Sequence, residues 1–192
     1  MKPGFLCLSL AACVALVAGC GPIATPIPTS QPTSTPAPTA IPTESAERYH
    51  EPSGGFSYIP PAGWETVEAQ SLAYKVAVGP ETHGFAANLT IVDEPFGGSL
   101  EEYVSSAIDG LGQYFENFQI LSQEEFTPEA GPPGVRIVAE NVQSGRVLRQ
   151  TFYLFDSGTK KFVVTCTRLA DMGAELDAAC EGSVKTLRFE SE

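Results

Sequence analysis

The 192 residues are 43% hydrophobic with a mean hydropathy of zero, and residues 47–192 have one core's worth of apolar residues. Eleven basic groups stand against 23 acidic ones, a formal net charge of −12. That balance excludes nucleic acid as a partner, because such binding rests on neutralising phosphates, and it works against direct docking on anionic headgroups.

At the N-terminus, Lys2 is the one charge among residues 1–19, and an apolar run from Phe5 to Val17 is broken only by Ser9. This is the layout of a secretory signal peptide. The run is shorter than the roughly 20 apolar residues a transmembrane helix needs, so residues 1–19 are expected to be removed. Val17-Ala18-Gly19-Cys20 resembles the lipobox of bacterial lipoproteins. The resemblance implies that the Cys20 thiol receives a diacylglycerol and that cleavage leaves Cys20 as the first residue. An ordinary signal peptide, with Cys20 an incidental thiol, is the alternative. One acyl chain binds a membrane only reversibly, so two or three on Cys20 make the lasting anchor. Loss of Lys2 leaves 10 basic and 23 acidic groups, a formal −13.

Residues 20–46 join that cysteine to the rest. Between Gly21 and Ala46 prolines stand at 22, 26, 28, 32, 36, 38 and 42 with threonines between them, and few large apolar groups are available to bury. Such a segment cannot offset its ordering entropy with a core. Proline favours extended polyproline II, so the segment reads as a semi-rigid spacer of up to about 80 Å. A PxxP ligand or an O-glycosylated stalk fits the same composition.

The remaining residues, 47–192, are of single-domain size. Gly54–Pro60, Ser71–Gly79 and Ala86–Val92 read as strands, and Pro60-Pro61-Ala62-Gly63 as a turn before Trp64. From Ser99 the period lengthens: Leu100, Tyr103, Val104, Ala107, Ile108, Leu111, Tyr114 and Phe115 fall on one helix face. Ser99 and Glu102 have the spacing of a capping box. Strands follow at about 119–126, 135–142, 146–155 and 161–168, with Gly145 and Asp156-Ser157-Gly158 at the joins, so the last three are expected to form an antiparallel meander. A helix from about Met172 places Leu176, Ala179, Cys180 and Val184 on one side, and Thr186–Phe189 is extended. An antiparallel sheet with helices against it is the α+β class.

"GGFSYIPPAGW", "ANLTIVDEP", the capped "SLEEYVSSAIDGL", "GRVLRQTFYLFDSGTKKFVVTCTR" and the closing "SVKTLRFE" together resemble, in order and spacing, the PsbP-like superfamily, over nearly all of Gly54–Glu190. Its members include a photosystem subunit, a nuclear Ran-binding protein and bacterial envelope lipoproteins of the DcrB kind. The resemblance implies an α-β-α sandwich around a central antiparallel sheet, with two main amphipathic helices. It implies no activity, because the fold is shared more widely than any function.

Two cysteines remain once Cys7 and Cys13 leave with the signal peptide and Cys20 carries lipid. Cys166 shares a strand face with Phe162 and Val164, and Cys180 lies on the apolar face of the final helix. In an oxidising compartment the two are expected to form a disulfide; two buried free thiols are the other reading. Their separation does not suit a CxxC redox motif.

Catalytic patterns are thin. His50 lies at the linker edge and His83 in a Gly- and Pro-flanked loop, and there is no GxSxG elbow. Asp93-Glu94, Glu101-Glu102 and Glu124-Glu125 read as solvated charge, without the spacing of a calcium loop. Gly54-Gly55 and Gly97-Gly98 read as turns, and Asn88, in a glycosylation sequon, as a strand residue. Tyr58, Trp64 and Tyr74 are either an aromatic groove or core. No catalytic residue, metal ligand or cofactor is assigned. The sequence points to a lipid-anchored, extracytoplasmic binding or assembly module of the cell envelope with a protein partner. A small-ligand carrier or an enzyme with a pocket in the sandwich is the alternative.

Overall fold

The computed structural model describes residues 47–158 and 160–190. Their elements are β1 (Tyr49–Glu51), β2 (Phe56–Tyr58), β3 (Glu65–Val67), β4 (Val76–Thr82), β5 (Phe85–Pro95), α1 (Leu100–Tyr114), β6 (Glu116–Phe126), β7 (Gly134–Gln143), β8 (Arg146–Asp156), β9 (Lys160–Leu169), α2 (Glu175–Lys185) and β10 (Arg188–Phe189). The signal peptide, Cys20 and the Pro/Thr spacer read from the sequence lie outside the described residues.

Seven strands make an antiparallel sheet in the order β3-β4-β5-β9-β8-β7-β6, and a second sheet has the order β1-β2-β10. The meander from β6 to β9 comes from short turns. Ser144 and Gly145 both take positive φ (52° and 75°), the pair a tight type I′ hairpin requires, and the register then runs unbroken from Gln143↔Arg146 to Gly134↔Phe155. One residue in two points to each side of this sheet, so its two faces carry different cores. Ile137, Ala139, Phe152, Leu154 and Val163 meet Tyr103, Val104, Ala107 and Leu111 of α1. Leu89, Ile91, Tyr153, Phe155, Phe162 and Val164 meet Phe56, Tyr58, Val184 and Leu187 of the small sheet and the α2 region. One helix therefore covers each face, and the fold is an α-β-α sandwich of the α+β class.

The two helices are secured differently. On α1 the capping box forms: the Glu102 N–H donates to Ser99 Oγ at 3.2 Å and the Ser99 N–H to Glu102 Oε2 at 2.8 Å, which satisfies two orphan amides. By contrast, α2 begins at Glu175 rather than near Met172, because Met172 closes a turn onto the Leu169 carbonyl, and its N-cap, Ala174, offers no side-chain acceptor. A helix of 11 residues is marginal alone, so α2 depends on its tertiary ties.

Other boundaries shift for local reasons. The expected strand at Ser71–Gly79 moves to Val76–Thr82; Pro80 enters β4 where the register slips between Val78 and Glu81, a place where a missing amide is tolerated. His83 and Gly84, at φ 54° and 67°, make the turn instead. Two three-residue strands, β1 and β3, carry too little periodicity to be read from sequence.

Candidate functional site

Polar side chains at the far end of the sheet, where β5 ends and β9 begins, are paired with one another. Asp93 accepts from the Tyr74 hydroxyl at 2.8 Å and meets Lys160 Nζ at 2.6 Å, while Glu94 accepts from Tyr103 at 2.5 Å. The reading of Asp93-Glu94 as solvated charge is thus corrected: they anchor tyrosines. Burial first, then these carboxylates, push the Tyr74 and Tyr103 phenols well above their ordinary range. Lys161, 1% exposed, sits 3.0 Å from Asp156 and donates to the Phe96 carbonyl at 3.3 Å. These groups are committed to structure.

Along α2 a second set of ties surrounds the cysteines. Cys166 of β9 and Cys180 of α2 form a disulfide, S–S 2.04 Å, with Trp64, Leu176 and Asp177 beside it. Arg168, 4% exposed, donates in bidentate fashion to Asp177 at 2.6 and 2.5 Å and also to the carbonyls of Leu169, Ala170 and Met172. The bond to Asp177 raises the pKa of the Arg168 guanidinium, so this cation stays charged while buried. The β9–α2 connection is therefore held rigidly from beneath.

That rigid connection forms one wall of an open groove of about 630 Å³, lined by His83, Arg146, Val147, Leu169, Ala170 and Asp171. Three connections converge there: the β4–β5 turn, the β7–β8 turn and the β9–α2 loop. Arg146 Nη1 donates to the Gly84 carbonyl at 2.8 Å and locks the two hairpins together. Val147 is 49% exposed on the floor, and Phe85, Leu148 and Leu169 pack below, with Met172 against them. Within the sheet nearby, buried Asn141 donates to Gln150 at 2.6 Å and Gln150 to Thr167 at 3.2 Å, a ladder that stiffens this end. The groove is thus lined by apolar Val147, Leu169 and Ala170 together with a histidine, an arginine and an aspartate.

Sequence reasoning placed His83 correctly on a surface turn but did not find the groove, because its lining comes from three loops far apart in the chain. Tyr58 and Tyr74 are 1% and 7% exposed and lie in the core, and Trp64 packs over Gly79, so the three aromatics form no groove. His50 lies on β1, 3.3 Å from Glu190 and exposed. Asn88 is half-buried in β5. Among the described residues neither imidazole is hydrogen-bonded to a serine or a cysteine. Among the described residues no group of three or more His, Cys, Asp or Glu side chains is placed to hold a metal. Among them, too, no helix is long and apolar enough to cross a membrane.

No protein-family model matches the sequence, and no curated protein is significantly similar to it. Solved structures are similar in fold. LpqN of Mycobacterium tuberculosis, described as involved in cell envelope biogenesis, superposes with a TM-score of 0.55 at 13% identity, covering 78% of this chain and 88% of LpqN. The cyanobacterial PsbP (CyanoP) of Synechocystis gives 0.56 at 11% identity, over 79% and 97% of the two chains. The Ran-binding protein Mog1p of Saccharomyces cerevisiae gives 0.53 at 11% identity, over 73% and 93%. At such identities the likeness concerns the fold, and the fold of this chain is PsbP-like.

Proposed function

We propose that the protein is a lipid-anchored module of the cell envelope that binds a protein partner through the groove at the β4–β5, β7–β8 and β9–α2 loops and catalyses no reaction. The observation that carries this reading is the position of the groove relative to the chain's entry. Arg48 Nη1 donates to the carbonyl of Thr186, just past the C-terminal end of α2, whereas Ala170 and Asp171 of the groove precede its N-terminal end. Eleven helical residues set the two about 16 Å apart, so the point where the chain enters the domain at Glu47 lies away from the groove. The lipobox-like Cys20 and the Pro/Thr spacer supply the anchor and the reach in this reading. The fold likeness to LpqN, described as involved in cell envelope biogenesis, agrees with it.

The test is crosslinking with mass spectrometry on intact cells expressing the full chain, with residues 1–46 alone as control. A partner held only by the full chain, together with acyl label that disappears in Cys20→Ser, is the expected result. The same captures from the full chain and from residues 1–46 would remove the recognition role, and label that survives Cys20→Ser would remove the anchor. A second reading rests on the groove volume, which falls within the roughly 300–1,000 Å³ of small-molecule sites. A carrier of that kind gives a thermal shift with a metabolite or lipid, whereas a protein-binding module does not.

A further inference from the structure

At one edge of the large sheet, β6 pairs only with β7 among the described residues. The opposite edge strand, β3, is three residues long, whereas β6 has 11, of which all but Phe118 and Phe126 are exposed. Its first half is irregular: the register slips between Glu116 and Gln119 and again between Ile120 and Ser122, and Asn117 has φ 54°. Kinks of that kind blunt an edge against other strands. The second half is different. Ser122 to Phe126 pair in unbroken register with Val138 to Gly134, so alternate residues there turn their N–H and C=O groups outward from the sheet. Leu121, 44% exposed, and Ile120, 36% exposed, stand at the start of this stretch. Glu124 is engaged by Arg136, while among the described residues Glu125 and Glu116 make no ion pair.

We infer that Ser122–Phe126 is a docking edge for an extended segment of another protein that carries basic side chains. Such a segment adds an eighth strand to the sheet by main-chain hydrogen bonds, sets a cation against Glu125 and covers Leu121. Charge selects this occupant. The whole chain carries a formal −12, and a second copy paired edge to edge brings the acidic β6, with Glu116 and Glu125 outside any ion pair among the described residues, against its own like charge, which opposes pairing. The chain's own segment from Gly21 to Ala46 has no Lys or Arg, and its recurring prolines cannot sustain a ladder. The proposal goes beyond the groove reading, since β6 contributes no groove residue.

The experiment is amide hydrogen exchange on the full chain, with and without a short synthetic peptide alternating lysine and valine. The expected result is slowed exchange at alternate residues of Ser122–Phe126, with no effect from the matching glutamate-valine peptide. Glu125→Lys should weaken the lysine peptide roughly fivefold and Glu125→Gln by less, with melting temperatures unchanged. Protection absent at about 1 mM peptide, equal protection by the acidic peptide, protection confined to other residues, or dimers of the free chain joined through β6 would each overturn the proposal. Groove crosslinks are read separately, so failure here leaves the groove reading standing.

Discussion

Removing the Cys166–Cys180 bond is expected to lower the stability of the domain by about 3 kcal/mol, the loop-closure entropy that a cross-link of this span takes from the unfolded chain. The two cysteines are 14 residues apart, so the closed loop is short and the figure modest. Other native ties of α2 remain when the bond is lost. Besides the disulfide, α2 is held by the Arg168–Asp177 pair, by the Ser183 hydroxyl donating to the Ile59 carbonyl at 2.5 Å and by Val184 in the core. For a domain of this size the loss corresponds to about 10 °C in Tm. The assay is thermal unfolding of the full chain with and without reductant, alongside Cys166→Ala/Cys180→Ala. The double variant should melt lower and should no longer respond to reductant. A reductant-insensitive wild type, or a double variant within about 2 °C of it, would refute the bond as a tie of about 3 kcal/mol.

Asp177→Asn leaves the buried Arg168 cation without its bidentate partner and should cost about 3 kcal/mol in denaturant unfolding; Glu140→Gln, at a half-exposed pair with Arg149, should cost under about 1 kcal/mol. In Gly79→Ala the new Cβ lies 2.9 Å from the Trp64 ring, so the indole must move; a loss of about 1–3 kcal/mol and a changed emission spectrum from the single tryptophan are expected. Burial pushes the Tyr58 phenol up to about 12, and burial, partly countered by Arg136, does the same for Tyr153. Because these folded values lie above the unfolded one, the neutral phenols contribute stability that is whole below about pH 10 and is lost as pH rises through 12. Tm measured against pH should therefore fall over that window, and less steeply in Tyr58→Phe.

Legibility from sequence followed how local the cause was. The α1 helix was readable because its period and its cap lie within one short stretch, and the meander from Val135 onward because long alternating runs meet at turn residues. The strand at Val76–Thr82 was displaced in the reading because Pro80 looks like a loop signal until a register slip gives it a place in β4. Strands of three residues such as β1 exist through partners that sequence does not show, Tyr58 opposite Tyr49 and Phe56 opposite Glu51. The disulfide was legible by side-chain face. The groove was not, because His83, Arg146 and Asp171 carry no mutual spacing and meet only when three turns are brought to one end of the sheet.

The most direct measurement is site-specific photo-crosslinking from Val147, on the groove floor, compared with Glu101, exposed on α1, in cells expressing the full chain. One discrete adduct from Val147, absent from Glu101 and lost when Asp171→Arg changes the lining, is the expected result. Identical background from both positions would contradict recognition through the groove.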